Sequence, residues 1–92
     1  MINQVELTKR ANKELGNAPK HIKLKFVHWV DQVQEKGIYE VRKISGFHDE
    51  PLHGDRKGQR SVRLNKQWRA IYVIINNKIE FIEVQEVTPH EY

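Results

Sequence analysis

Between Leu52 and Val73 the chain reads LHGDRKGQRSVRLNKQWRAIYV. This stretch holds Arg56, Lys57, Arg60, Arg63, Lys66 and Arg69, with Asp55 as its only acid. Like charges crowded together oppose folding, so such a patch points to an anion from outside the chain. Nucleic acid is the commonest large anion for a small protein; a solvated basic face is the plain alternative. Cutting RNA without a metal needs a base for the 2′-hydroxyl proton and an acid for the leaving 5′-oxygen. It also needs cations for the charge that builds on phosphorus. Arginine suits the last task, because its planar fork grips two phosphate oxygens and never loses its charge. Histidine suits the first two, since it titrates near neutrality. Tyrosine can donate a proton where neighbouring cations lower its pKa.

The chain has candidates for each role. Arg69 follows Trp68 at the start of an apolar run, and strand alternation puts it on one face with Ile71 and Val73. His48 and His53 sit in a glycine- and proline-containing loop ahead of the basic run, and His90 and Tyr92 lie beyond Pro89. Taken singly, each of these histidines also reads as an idle surface residue, and His21 and His28 read as solvent or core-edge positions. No histidine pair has a third ligand at metal spacing, so no metal site is expected. GDRKGQR lacks the spacing and the closing Lys-Ser/Thr of a nucleotide loop, and no cofactor is expected.

These groups must be positioned by a small set of elements. INQVEL alternates weakly as an edge strand. Thr8 can cap a short helix through KRANKEL, stopped at Gly16-Asn17. Asn17 can then cap a second helix with Pro19 in its first turn, and Gly37 ends it. Along that helix Ile22, Phe26, Trp29, Val30 and Val33 make one apolar stripe, widened by Leu24 and Val27. IYEVRKI reads as a further short helix, and SGFHDEPLHG as a loop. After Gly58 the period becomes two: Arg60, Val62 and Leu64 oppose Ser61, Arg63 and Asn65, with Arg60 leading the inward face. WRAIYVII is a second strand, Asn76-Asn77 a two-residue turn, and KIEFIEV the returning third strand. Pro89 takes the chain out of the sheet. The expected fold is therefore α+β: an N-terminal strand and two helices packed on a twisted, mostly antiparallel sheet that ends in a three-strand meander.

Bulk properties agree with one folded domain over residues 1–92. The hydrophobic share is 38% and the charged share 30%, ordinary for a globular chain. The 16 Lys and Arg against 12 Asp and Glu give +4. The acids gather at Glu80, Glu83, Glu86 and Glu91, away from the basic run. Zero cysteines exclude disulfides, thiolate catalysis and the usual zinc fingers. No apolar run approaches the roughly 20 residues of a membrane span, and Met1 to Lys13 contains no apolar core of a secretion signal. A cytoplasmic protein with no membrane partner is expected.

The run GFHDEPLHGDRKGQRSVRLNKQWRAIYVI, followed by EVQEVTPHEY, resembles the second half of RelE/HigB-type toxins of bacterial type II toxin–antitoxin systems. Within that RelE/ParE superfamily it is most similar to small HigB-like members, with their Pro-Leu-x-Gly loop, KGQxSxRxNxxWR strand pair and His-x-Tyr end. The match covers residues 46 to 92; the first half matches in its order of elements. The resemblance implies a RelE-like fold, ribosome-dependent and metal-independent cleavage of mRNA, and inhibition by a cognate antitoxin. By position, it implies that Arg69 stabilises the phosphate and that His90 and Tyr92 serve proton transfer or stacking. Arg56 and Lys57 match loop residues that face RNA, and Arg60 and Arg63 match the basic strand. Family loops often have histidine before the proline and lysine before the glycine, where this chain has Glu50 and His53. The general base therefore stays open among His53, His90 and Tyr92.

Two other functions fit the same residues. A ParE-like toxin of this fold inhibits DNA gyrase by protein binding, though it needs no proton-transfer groups. A non-catalytic RNA-binding module is the third reading, but Phe26, Trp29 and Tyr72 read as core rather than as stacking platforms.

Overall fold

The computed structural model describes residues 1–89; the candidate residues His90 and Tyr92 lie outside them. Strand β1 (Val5–Leu7) leads into helix α1 (Lys9–Gly16), the long helix α2 (Lys20–Lys36) and the single turn α3 (Ile38–Val41). Strands β2 (Glu50–Pro51), β3 (Arg60–Arg63), β4 (Arg69–Asn76) and β5 (Glu80–Thr88) follow, with 3-10 turns at Ser45–Phe47 and Gly54–Arg56. The strands form one sheet in the order β1-β5-β4-β3-β2, parallel only between β1 and β5. This is the α+β architecture expected, with α3 as a third, one-turn helix.

Capping chemistry sets the first helix boundaries. The Thr8 hydroxyl accepts the Ala11 N–H at 3.1 Å and so starts α1. Asn17 belongs to the end of α1, where its N–H reaches the Lys13 and Glu14 carbonyls, and does not cap α2. Pro19 is the N-cap of α2 and makes no side-chain cap bond. Gly37 ends α2 at φ 83°, a left-handed value that glycine takes without strain.

Ile22, Phe26, Trp29 and Val33 are buried against the sheet, with the Trp29 ring 5.6 Å from that of Tyr72. Leu24 and Val27 do not widen this stripe; they are 62% and 52% exposed. At 100° per residue they fall too far round α2 to reach a single sheet. From the sheet side the core takes Val62, Ala70, Tyr72, Ile82, Val84 and Val87.

Two further details differ from the sequence reading. The SGFHDEPLHG segment contains β2, whose Glu50 and Pro51 pair with Ser61 and Arg60; proline is admissible there because the strand lies at the sheet edge. The β4–β5 register pairs Asn76 with Glu80 and leaves a three-residue loop, 77–79, in place of a two-residue turn. No positive φ occurs there: His48 is the one non-glycine residue with positive φ among the described residues. None of the described helices is long and apolar enough to cross a membrane.

Candidate nucleic-acid interface

Ala70, Tyr72 and Ile74 point toward the helices, so alternation sends Arg69, Ile71, Val73 and Ile75 to the opposite face. A β-bulge decides what joins them. Tyr72 pairs with Val84 but Ile71 pairs with Glu86, which leaves Gln85 as the extra residue on β5. Strict alternation, without the bulge, would carry Glu86 and Thr88 with Val84 toward the helices. With it, Val87 turns inward, and Glu86 and Thr88 take the outer face beside Ile71 and Arg69.

Arg63 and Arg69 are register partners across β3 and β4, and Thr88 flanks Arg69 on the other side. Two arginines directly opposite on one face repel each other. Among the described residues neither is ion-paired to a carboxylate, and the Arg63 Nε is buried without a hydrogen-bond partner. Arg69 is partly tethered: its Nη1 donates to the carbonyls of Asn65 at 2.8 Å, Trp68 at 3.2 Å and Lys66 at 3.3 Å.

The loop between β2 and β3 is strapped across this face. Arg56 reaches Glu86 at 2.8 Å, and Gln59 reaches Gln85 at 2.6 Å, so both span β4 to touch β5. Arg10 of α1 holds the other oxygen of Glu86 at 3.1 Å. The Glu86 side chain is 7% exposed between the two guanidiniums. Beside the strap, Glu50, Pro51, Leu52, His53, Asp55 and Arg56 line a cleft of about 530 Å³. His53, Lys57 and Lys66 are exposed. His48 sits at φ 44° with its imidazole 3.4 Å from Glu50.

Arg60 stands apart from the other bases. It pairs with Tyr72 in register and so points to the helix side, where its Nε donates to Asp49 Oδ1 at 2.6 Å. The Asp49 side chain is 1% exposed. Its other oxygen accepts the Tyr72 hydroxyl at 2.6 Å, and that hydroxyl accepts from Arg42 Nε at 3.1 Å. Among the described residues, the outer face therefore brings together Arg56, Arg63 and Arg69, while Arg60 serves a buried network. Sequence reasoning missed Asp49, Arg42, Arg10, Glu86 and Asn65. One signal was available: an inward-facing arginine at position 60 demands a buried acid, and the preceding loop offers Asp49, Glu50 and Asp55.

Burial, with the Asp49 carboxylate beside it, holds the Tyr72 phenol well above its ordinary pKa of about 10. Above that pH the unfolded chain releases this proton and the folded chain retains it. The unfolded state then binds fewer protons, so stability falls as pH rises past about 10. An absorbance titration of the three tyrosines should show one phenol that ionises only as the chain unfolds, and Tyr72→Phe should remove that step. A Tyr72 phenol that ionises near pH 10 while the chain stays folded would contradict the network.

No protein-family model and no curated relative matches the sequence. Solved structures do. The YoeB/ParE toxin from Agrobacterium tumefaciens superposes with a TM-score of 0.74 at 16% identity, over 96% of this chain and 99% of that one. A chain of the E. coli DinJ–YafQ toxin–antitoxin complex gives 0.72 at 18%, over 98% and 94%. A chain of the archaeal RelE–RelB complex from Pyrococcus horikoshii gives 0.71 at 26%, over 97% and 96%. These neighbours are YoeB, YafQ and RelE proteins, so they support the superfamily and not its HigB branch in particular. With its three helices on a mixed five-stranded sheet, the chain belongs to the RelE/ParE superfamily of toxins.

Proposed function

We propose that this toxin is a ribosome-dependent mRNA endoribonuclease that works without a metal and is neutralised by a cognate antitoxin. The observation that carries the reading is the Arg63–Arg69 pair, two register-opposed guanidiniums with no carboxylate to offset them among the described residues. An RNA phosphate between them would relieve their repulsion and receive a bidentate grip. In the reaction the 2′-oxygen attacks phosphorus, the bond to the 5′-oxygen breaks, and the 5′-oxygen takes up a proton. Arg69, with Arg63 opposite, stabilises the charge on phosphorus. His53, His90 and Tyr92 supply the base and the acid; His90 follows Thr88, the register partner of Arg69, by two residues. Lys57, Lys66 and His48 add contacts to the RNA backbone, and Arg56 does so from the strap. The antitoxin masks this face with an acidic or amphipathic segment that pairs with Arg63 and Arg69, because Arg60 already holds Asp49.

Primer extension on mRNA from induced cells tests the reading. Discrete cuts confined to translated message, reproduced with purified ribosomes and absent on naked RNA, are expected. An induced DNA-damage response without cuts would replace the nuclease by gyrase binding. Ribosome binding without cuts would leave a non-catalytic module.

A further inference from the structure

The turn that joins β3 to β4 does more than connect them. The Asn65 side-chain oxygen accepts the backbone N–H of Gln67 at 2.8 Å and of Trp68 at 2.7 Å, which makes a compact Asx turn. The Leu64 N–H closes the turn on the Trp68 carbonyl at 2.9 Å. In this conformation the carbonyls of residues 65, 66 and 68 all converge on one atom, the Arg69 Nη1. The Nε and Nη2 of the same guanidinium donate to no group among the described residues. An arginine side chain on a strand has many rotamers, and its fork is useful for a phosphate only when one edge is aimed in advance.

We infer that Asn65 is a positioning residue: its turn anchors Nη1 of Arg69 and thereby presents the Nε–Nη2 edge to the scissile phosphate. The inference rests on the nuclease reading above, and it assigns Asn65 no contact with substrate. It also predicts that lysine cannot take the place of Arg69. A single ammonium cannot sit on the turn carbonyls and grip two phosphate oxygens together.

The test pairs a structural readout with a kinetic one. Side-chain NMR of the full chain, with the Arg69 signals assigned by their loss in Arg69→Lys, should show separate, slowly rotating Nη protons. Asn65→Ala should collapse them to an averaged signal, and Asn65→Asp, which keeps the accepting oxygen, should restore them. In single-turnover cleavage on programmed ribosomes, Asn65→Ala should be slower by about tenfold or more, as for a catalytic group misplaced by a fraction of an ångström. Its ribosome Kd should stay within twofold, and Asn65→Asp should recover most of the rate. Unchanged Nη signals in Asn65→Ala overturn the anchoring. Averaged signals with an unchanged cleavage rate overturn the positioning role. If the unsubstituted chain cuts nothing, the nuclease reading fails and this role falls with it, while the NMR arm separately decides the anchoring.

Discussion

Arg69→Ala is expected to abolish growth inhibition and to lower the proposed cleavage rate by about 10²–10³ or more, the scale for losing a donor aimed at developing charge. Such a donor contributes more in the transition state than in the ground state, so ribosome binding should change far less than the rate. The fold should survive. The substitution removes three bonds to the 65–68 turn, but it also removes the repulsion from Arg63 across the ladder. Arg63→Ala should lower the rate as well, by a smaller factor, since Arg63 lacks the turn anchor. Arg69→Lys should resemble the alanine variant rather than the parent. Growth arrest assays, with the expression level and circular dichroism of each variant, check these outcomes. A fully toxic Arg69→Ala chain at normal abundance refutes the role.

The largest effect on stability is expected at Asp49. Its carboxylate joins Arg60, Tyr72 and indirectly Arg42 under 1% exposure. Asp49→Ala leaves a guanidinium at 25% exposure and a buried phenol without their acceptor. Breaking a buried pair from one side costs about 3–5 kcal/mol. For a chain of this size that is a fall in Tm of roughly 15–30 °C. Removing both partners is different: Asp49→Ala with Arg60→Met should recover much of the loss, because no uncompensated charge remains. Thermal melts of the two single variants and the double variant give the coupling. A single variant that melts within a few degrees of the parent would show that the network holds little.

The legible parts of this chain were those that depend on local pattern. Ile22, Phe26, Trp29 and Val33 read as one helix face because their spacing is the helix period, and they are buried. Thr8 read as a cap because the bond it makes is three residues away. The meander was visible in the β-branched run before Asn76, and Arg69 fell on the predicted side of β4 with Ile71. What escaped depends on distance in the chain or on a single irregular residue. The Arg56–Glu86 strap joins positions 30 apart, and charge segregation in the sequence suggested that those bases were free. The bulge at Gln85 shows in the sequence only as a one-residue slip of the alternation, Ile82 and Val84 being two apart and Val87 three further on, and it decides which side Glu86 and Thr88 occupy. Leu24 and Val27 matched the helix in hydrophobicity but not in angle. Alternation alone turns Arg60 inward while its charge alone suggests RNA binding, and its contact with Asp49 favours the first.

The pairing of β1 with β5 has a further consequence. Residues 5–7 lie beside residues 82–84, so the earliest strand made by the ribosome waits for the latest before either can complete the sheet. Such long sequence separation slows closure, and a nascent chain emerges N-terminus first. The arginine face, which needs β5 for Thr88 and Glu86, is therefore assembled only once β5 has emerged. Until β5 pairs with both neighbours, the emerging chain carries no complete arginine face.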